Sequence, residues 1–181
     1  MAAKICEKSF FAGFGGQGII SLGQIWVYCA MQEGKHVTFF PFYGAEKRGG
    51  IARAGVIVSD EEIDSPLVTV PDSVLVMNED SLPLCEEIVK EGGLMVVNSS
   101  LVKESPKRKD IKLVQVEASG LAEKIGHIRY ANMVALGAVA KLTGALKLTD
   151  IEAILRKFFP PDKHRFVPEN VNAIKAGFGA V

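Results

Sequence analysis

The sequence SFFAGFGGQG, residues 9–18, passes directly from an apolar run into a cluster of glycines. Apolar residues then recur three to four positions apart between Ile19 and Cys29, which predicts an amphipathic helix after the glycines. Gly34 is placed to end this helix, and the run 36–40 (HVTFF) predicts a second, buried strand. A strand, a crossover helix and a strand in this order predict a βαβ unit whose two strands run parallel.

The rest of the chain continues the alternation of strands and helices. Short apolar runs predict four more strands, at 51–59, 74–77, 94–97 and 112–116. Helical spacing predicts helices at 81–90, 119–125, 132–142, 149–158 and 168–176. The pattern therefore predicts one α/β domain over residues 1–181, with a mostly parallel open sheet, flanking helices, a Rossmann-like start and a helical C-terminal arm.

Two helix starts carry more detailed predictions. The run TDIE from Thr149 to Glu152 has the spacing of a capping box, with Thr149 as the N-cap residue. Asn132 stands directly before the apolar run MVALG and is interpreted as the N-cap of its helix.

Composition and charge exclude several classes of protein. Apolar residues make up 48% and charged residues 23% of the chain, which excludes an intrinsically disordered protein. Lys+Arg and Asp+Glu both total 21, so the chain lacks the basic excess that nucleic acids and anionic membranes require. Near-zero net charge with a mean hydropathy of +0.21 favours a chain that buries surface against partners.

The expected location is the cytoplasm. No apolar run reaches the ~18 residues of a membrane span, and charged side chains at Lys4, Glu7 and Lys8 interrupt any signal-peptide core. Three distant cysteines without a Cys-x-x-Cys pattern predict reduced, mostly buried thiols.

The first candidate site is the glycine turn, Gly13-Phe14-Gly15-Gly16-Gln17-Gly18. Glycines between a strand and a helix let backbone N–H groups approach an anion at the positive end of the helix. A dinucleotide site also needs an acidic residue at the end of the second strand, where this chain has Phe39-Phe40-Pro41-Phe42, and Glu33 comes too early. Two interpretations remain: an anion site for a ligand other than NAD, or close packing of a neighbouring chain or loop.

The second candidate site is the segment 43–50, YGAEKRGG, with Tyr43, Arg48, Gly49 and Gly50 as candidate binding residues. It follows the second strand, at the sheet edge where open α/β folds place their ligands. Arg48 can present its planar fork to a carboxylate or a phosphate. The alternatives are a solvated loop in which Glu46 pairs with Arg48, and an interface with a partner, which the aromatic residue and the arginine favour.

No catalytic or metal-binding residue can be assigned. The three histidines, His36, His127 and His164, are scattered, and none has a carboxylate at catalytic spacing. Ser21 has no identifiable base.

With these segments the chain resembles the gamma subunit of 2-oxoacid:ferredoxin oxidoreductases. The resemblance runs in order from about residue 9 to residue 178 and is carried by five motifs: GFGGQG at 13–18, YGAEKRGG at 43–50, IDSP at 63–66, NMVALG at 132–137 and ENVNAIKAG at 169–177. Tyr-Gly-Ala-Glu-x-Arg-Gly-Gly in a chain of this length looks closest to the 2-oxoglutarate branch; the pyruvate, branched-chain and indolepyruvate enzymes stay open.

The resemblance implies that the chain is one subunit of a larger enzyme. Such enzymes decarboxylate a 2-oxoacid on thiamine diphosphate with magnesium, pass electrons through iron–sulfur clusters to ferredoxin, and transfer the acyl group to coenzyme A. It implies partner alpha, beta (thiamine-binding) and ferredoxin-like delta subunits, with no cofactor bound by this chain alone and no activity in isolation. The chain's own part is then structural. The glycine turn and Arg48 are expected to face one crevice, which either contacts coenzyme A or lies at the seam with a partner subunit beside it. The alternative is a free-standing nucleotide- or coenzyme A-binding module.

Overall fold

A six-stranded sheet forms the centre of the fold in the computed structural model, which describes residues 4–42 and 50–181. The strands are β1 (Cys6–Phe14), β2 (His36–Phe42), β3 (Ile51–Ser59), β4 (Ser73–Val76), β5 (Leu94–Asn98) and β6 (Lys112–Val116). Their order in the sheet is β2-β3-β1-β4-β5-β6. Strands β1, β4, β5 and β6 are parallel neighbours, whereas β3 is antiparallel to both β1 and β2. The predicted α/β fold with a mostly parallel sheet is confirmed.

Strand β3 separates the two strands of the predicted βαβ unit. Gly55 in β3 is opposite Phe10 of β1 on one side and Phe40 of β2 on the other, and both pairings are antiparallel. Strands β1 and β2 therefore run in the same direction, as predicted, but β2 lies at the edge of the sheet. The prediction that β2 is a buried strand is wrong: its side chains are half-buried or exposed, with Phe40 39% exposed. An apolar run does not distinguish an edge strand from a central one.

In the described part of the chain, six α-helices surround the sheet: α1 (Ile19–Gln32), α2 (Leu82–Ile88), α3 (Ala118–Ile125), α4 (Ala131–Thr143), α5 (Ile151–Phe158) and α6 (Val167–Gly179). Short 3-10 helices occupy Glu79–Ser81, Ile128–Tyr130 and Pro161–Phe166. The predicted helices are confirmed in position, although the one predicted at 81–90 is shorter. Every helix in the described ranges is too short or too polar to cross a lipid bilayer.

The ends of the helices test the capping predictions. Gly34 has a φ of 75° and donates its N–H to the Met31 carbonyl at 3.0 Å, while the Lys35 N–H reaches the Ala30 carbonyl at 3.0 Å. This is a Schellman motif, so the predicted end of α1 is confirmed. The capping box at Thr149 is wrong: α5 begins at Ile151, and the residue before it is Asp150, in the left-handed region at φ 55° with no side-chain cap. The N-cap position is therefore occupied by Asp150 and not by Thr149.

The two faces of the sheet are covered unequally. Helices α1, α3, α4, α5 and α6 bury one face, where Phe11 meets Trp26 with ring centroids 5.7 Å apart. The other face is covered by α2 and by apolar residues of the connections after β3 and β5, including Val68 and Val102. Strand β1 thus leads to a helix on one face and β4 to a helix on the opposite face.

Helices α4 and α6 cross at two glycines. A Cβ atom added to Gly177 would lie 2.7 Å from the carbonyl carbon of Val134, and closer still to its oxygen. A Cβ added to Gly137 would lie 2.8 Å from the carbonyl carbon of Ile174. The two backbones are therefore in direct contact, and the C-terminal helix is part of the core.

The cysteines are separate from one another. Cys29 and Cys85 are buried, and burial raises the pKa of each thiol to about 12. Cys6 is exposed. The prediction of mostly buried thiols is confirmed.

Candidate functional site

The glycine turn joins β1 to α1. The Gln17 N–H donates to the Phe14 carbonyl at 3.0 Å, which closes the turn directly after the strand. Gly16 and Gly18 adopt φ values of 103° and 75°, in the region that L side chains disfavour. Gly18 is the N-cap of α1, so the helix begins with the backbone alone.

Two of the glycines allow close contact with neighbouring elements. A Cβ on Gly13 would lie 2.9 Å from the Met77 Cβ, and a Cβ on Gly18 would collide with the Asn132 amide. The Gly15 N–H donates to the Gly50 carbonyl at 2.9 Å. Gly16 differs, because a Cβ there would meet no atom within 4 Å. Close packing thus accounts for Gly13 and Gly18, whereas a Cβ on Gly15 would lie 3.5 Å from the Gly50 carbonyl oxygen, an ordinary contact distance, and Gly16 faces open space.

Gln17 ties the turn to the neighbouring strand. Its Oε1 accepts the Phe14 N–H at 2.7 Å, and its Nε2 donates to the Met77 carbonyl at 3.1 Å. Met77 follows β4, so this side chain bridges the carboxyl ends of two adjacent parallel strands.

A crevice opens at this position. It has a volume of about 270 Å³ and is lined by Gly16, Gln17 and Met77, by Ser119 at the start of α3, and by Arg129. Strands β1 and β4 are neighbours whose following helices lie on opposite faces of the sheet. Such a topological switch point is where open α/β sheets bind ligands.

Asn132 holds the turn from the other side. Its Nδ2 donates to the Gly18 carbonyl at 3.2 Å, and the residue is only 8% exposed. The prediction that Asn132 is an N-cap is wrong, because α4 begins one residue earlier, at Ala131, and Tyr130 precedes it. The Asn132 amide connects α4 to the start of α1.

The structure brings together Gly13, Gly15, Gly16, Gln17, Gly18 and Gly50 of the predicted site. Tyr43, Arg48 and Gly49 lie outside the described residues. Sequence reasoning missed Met77, Asn132 and Arg129 as parts of this region. The NMVALG motif was a signal for Asn132, whereas nothing in the sequence singled out Arg129.

The described residues offer no ligand set for a metal or a cluster. Within 4–42 and 50–181, no three His, Cys, Asp or Glu side chains lie close enough to hold an ion. His127 Nδ1 accepts the Arg129 N–H at 3.1 Å, and the His164 ring nitrogen lies 2.9 Å from the Arg156 carbonyl. Both histidines are engaged with the backbone. The described part of the chain does not fit the magnesium–diphosphate group or the iron–sulfur clusters that the resemblance implies for the whole enzyme.

Replacement of Gln17 by Ala is expected to destabilise the chain by about 1–3 kcal/mol, since it leaves the Phe14 N–H and the Met77 carbonyl without their partner. Urea unfolding of both proteins measures the loss. Gln32→Ala is the control, because Gln32 is the exposed last residue of α1. Equal unfolding midpoints for the two variants would contradict the bridging role.

Comparison with known proteins identifies the family. The family model described as pyruvate ferredoxin/flavodoxin oxidoreductase matches residues 8–180. The chain is 36% identical over 168 residues to ketoisovalerate oxidoreductase subunit VorA of Methanothermobacter thermautotrophicus, a match that covers 92% of this chain and 34% of VorA. It is 34% identical over 173 residues to 2-oxoglutarate synthase subunit KorC of Methanothermobacter marburgensis, with 92% and 91% of the two chains covered. The chain thus spans about a third of the length of VorA and nearly all of KorC.

A solved structure agrees with these relatives. The gamma subunit of a keto/oxoacid ferredoxin oxidoreductase from Geobacter sulfurreducens superposes with a TM-score of 0.82 at 30% identity, over 96% of this chain and 97% of that one. The sequence match and the fold thus point to the same family. The chain belongs to the pyruvate ferredoxin/flavodoxin oxidoreductase family, and within it to the gamma-subunit type found in 2-oxoacid:ferredoxin enzymes.

Proposed function

We propose that the chain is the gamma subunit of a multi-subunit 2-oxoacid:ferredoxin oxidoreductase of the cytoplasm whose substrate is 2-oxoglutarate. The complex converts the oxoacid and coenzyme A into the acyl-CoA and CO₂, and the two electrons released reduce ferredoxin. KorC supports this choice of substrate, because its name refers to 2-oxoglutarate and the match covers 91% of its length. The match to VorA covers only 34% of that protein, so most of VorA has no counterpart in this chain.

The chain depends on partners for the redox chemistry. Alpha and beta subunits supply the thiamine diphosphate and magnesium site, and a ferredoxin-like delta subunit carries iron–sulfur clusters. The described residues supply no ligand set for either group. The part proposed for this chain is to complete the assembly and to form one wall of the coenzyme A site.

The observation that supports a role in binding coenzyme A is the crevice at the carboxyl ends of β1 and β4. Gly16 lines it with an open Cβ position, and Arg129, which also lines it, supplies a positive charge. Backbone groups at the start of a helix together with a guanidinium suit the phosphates of coenzyme A. The turn is shaped by the other residues of the predicted site, Gly13, Gly15, Gln17, Gly18 and Gly50. Tyr43, Arg48 and Gly49 belong to the proposed site on sequence grounds.

Purification of the tagged chain from its native source tests the assignment. The expected product is a larger complex that contains thiamine diphosphate and iron and reduces ferredoxin with 2-oxoglutarate in preference to pyruvate or ketoisovalerate. The isolated chain with added thiamine diphosphate should show no turnover. A lone chain in the native extract would instead support a free-standing nucleotide- or coenzyme A-binding module.

The coenzyme A role has its own test in the assembled enzyme. Gly16→Ala adds a methyl group to a residue that lines the crevice and is expected to raise the KM for coenzyme A, with the KM for the oxoacid unchanged. Gly34→Ala is the matched control, because Gly34 has a similar left-handed φ of 75° and the same open Cβ position, but lies at the far end of α1. An equal KM for coenzyme A in both variants would contradict the crevice assignment.

A further inference from the structure

A groove that the proposed site does not use lies between the connection after α4 and the last turns of α6. Its volume is about 270 Å³. Its apolar lining residues are Leu148, Ile151, Ile174 and Phe178, and two lysines, Lys147 and Lys175, also line it. Phe178 is 37% exposed, so the apolar lining reaches the surface. We call this surface the lysine groove.

The lysine groove is positively charged. Lys147 and Lys175 are exposed, and the lining contains no carboxylate. Lys141 adds a third positive charge, because its amine lies 5.0 Å from the centroid of the Phe178 ring. Within residues 4–42 and 50–181, none of these three lysines takes part in an ion pair. An apolar lining bordered by unneutralised cations favours an occupant that combines carboxylates with apolar side chains.

Glu33, at the end of α1, holds one wall of the groove in place. Its Oε1 accepts the N–H of Lys147 at 2.8 Å and the N–H of Leu148 at 3.2 Å. Leu148 has a φ of 56°, a conformation that residues with a bulky side chain rarely adopt. Such a conformation persists only where the surrounding structure enforces it. The wall is therefore preformed, and it is attached to the turn between α1 and β2.

A surface of the opposite charge follows β3. Residues 60–64 (DEEID) form it, and four of the five are exposed. Two of its carboxylates, Glu62 and Asp64, take part in no ion pair within the described ranges. Apolar residues that are 48% and 57% exposed come next in the chain, at Leu67 and Val70. This stretch, residues 60–70, combines unneutralised carboxylates with exposed apolar side chains, and we call it the acidic segment.

The lysine groove and the acidic segment approach the same turn. Glu33 binds the groove wall, and two residues later the Lys35 amine lies 3.2 Å from the carboxylate of Asp60. Both surfaces therefore lie at one edge of the molecule, where β2 begins at His36 and β3 ends at Ser59. Complementary surfaces on one edge can pair twice across a two-fold axis, because the groove of each copy receives the segment of the other.

We infer that the acidic segment of a second copy of this chain occupies the lysine groove, so that two copies form a symmetric dimer through this edge. Glu62 and Asp64 of one copy face Lys147 and Lys175 of the other. Overall charge supports a second copy as the occupant, since Lys+Arg and Asp+Glu both total 21 and near-zero net charge promotes association.

The inference goes beyond the proposed function and does not compete with it. Cys6, at the start of β1, is opposite Ser59, so the dimer edge lies at the amino end of β1. The crevice lined by Gly16 and Met77 lies at the carboxyl ends of β1 and β4. A dimer of this kind leaves the glycine turn open to the ligand and the partner subunits of the proposed enzyme.

Analytical ultracentrifugation of the full chain is the first test. A dimer is expected at low ionic strength. Its Kd should rise roughly tenfold or more between about 50 mM and about 500 mM NaCl, because salt screens the exposed charges. A monomer at low ionic strength, or a dimer whose Kd does not depend on salt, would overturn the inference.

A charge exchange locates the contact. Lys147→Glu with Lys175→Glu reverses the groove, and Glu62→Lys with Asp64→Lys reverses the segment. Each double variant alone should be monomeric, with a Kd raised about a hundredfold or more, because like charges then face each other. An equimolar mixture of the two double variants should dimerise again, since both contacts of the mixed pair join opposite charges.

A third double variant is the control for the change in net charge. Lys124→Glu with Lys157→Glu alters two exposed lysines near the ends of α3 and α5, outside the groove, and should dimerise as the wild type does. Circular dichroism of every variant verifies that it is folded. Equal Kd values for the groove and control variants, or a mixture that stays monomeric, would overturn the inference. Neither result bears on the proposed function, which the purification and the coenzyme A kinetics test separately.

Discussion

Gly177→Ala is expected to lower the free energy of unfolding by about 3 kcal/mol, at the upper end of the range for overpacked cores. The added methyl group would overlap the Val134 carbonyl on α4. Backbone atoms at a helix crossing cannot turn aside as a flexible side chain can, so the two helices must separate. Separation loosens the contact between α4 and α6 along the buried residues of both helices.

Thermal unfolding measures this loss directly. For a chain of this size, about 3 kcal/mol corresponds to a decrease in Tm of roughly 6–12 °C. Gly179→Ala is the control in the same helix, because a Cβ there would meet no atom within 4 Å. Equal Tm values for the two variants would show that the crossing can relax without cost.

Trp26→Ala is expected to lower stability by about 3–5 kcal/mol, the range for removing a large aromatic side chain from a core. Trp26 is fully buried in α1 and packs edge-on against Phe11 of β1. The variant leaves a cavity between the first strand and the first helix, the two elements that the glycine turn connects. Urea unfolding, followed by far-UV circular dichroism, measures the change.

Trp26→Phe separates packing from hydrogen bonding at the same position. The indole Nε1 of Trp26 is buried and has no hydrogen-bond partner in the part of the chain that the structure describes. Phenylalanine keeps most of the aromatic contact and removes the unsatisfied donor, so we expect a smaller loss of about 1–2 kcal/mol. A loss as large as that of Trp26→Ala would show that the indole N–H makes a stabilising bond.

Local patterns predicted the elements well, because their signals are short in range. The glycine turn, the end of α1 at Gly34 and most strand and helix positions follow from periodicity and from the backbone freedom of glycine. The capping box at Thr149 fails locally, because Asp150 adopts a left-handed φ of 55°. Two other failures involve contacts between distant segments. The edge position of β2 depends on where β3 inserts, and the partner of Asn132 is Gly18, 114 residues away.

In the candidate site, too, local features could be predicted from the sequence, whereas contacts between distant segments could not. Gly13 and Gly18 were identified from their spacing. Their close contacts depend on Met77, directly after β4, and on Asn132, the second residue of α4. No sequence pattern indicated that Arg129 belongs to the site. Its surroundings form only when the 3-10 helices at Ile128–Tyr130 and Pro161–Phe166 come together. A sequence pattern carries no information on that meeting.

The position of β3 constrains the order in which the chain can assemble during synthesis. Strands β1 and β2 cannot hydrogen-bond to each other, since each pairs with β3, and β1 also pairs with β4 through residues such as Ser9 and Ser73, 64 positions apart. A nascent chain that ends before Ser59 therefore has no completed sheet on which α1 can pack. Folding of the N-terminal segment must wait for distant partners, which is the situation that slows folding and leaves apolar strands open to aggregation on the ribosome.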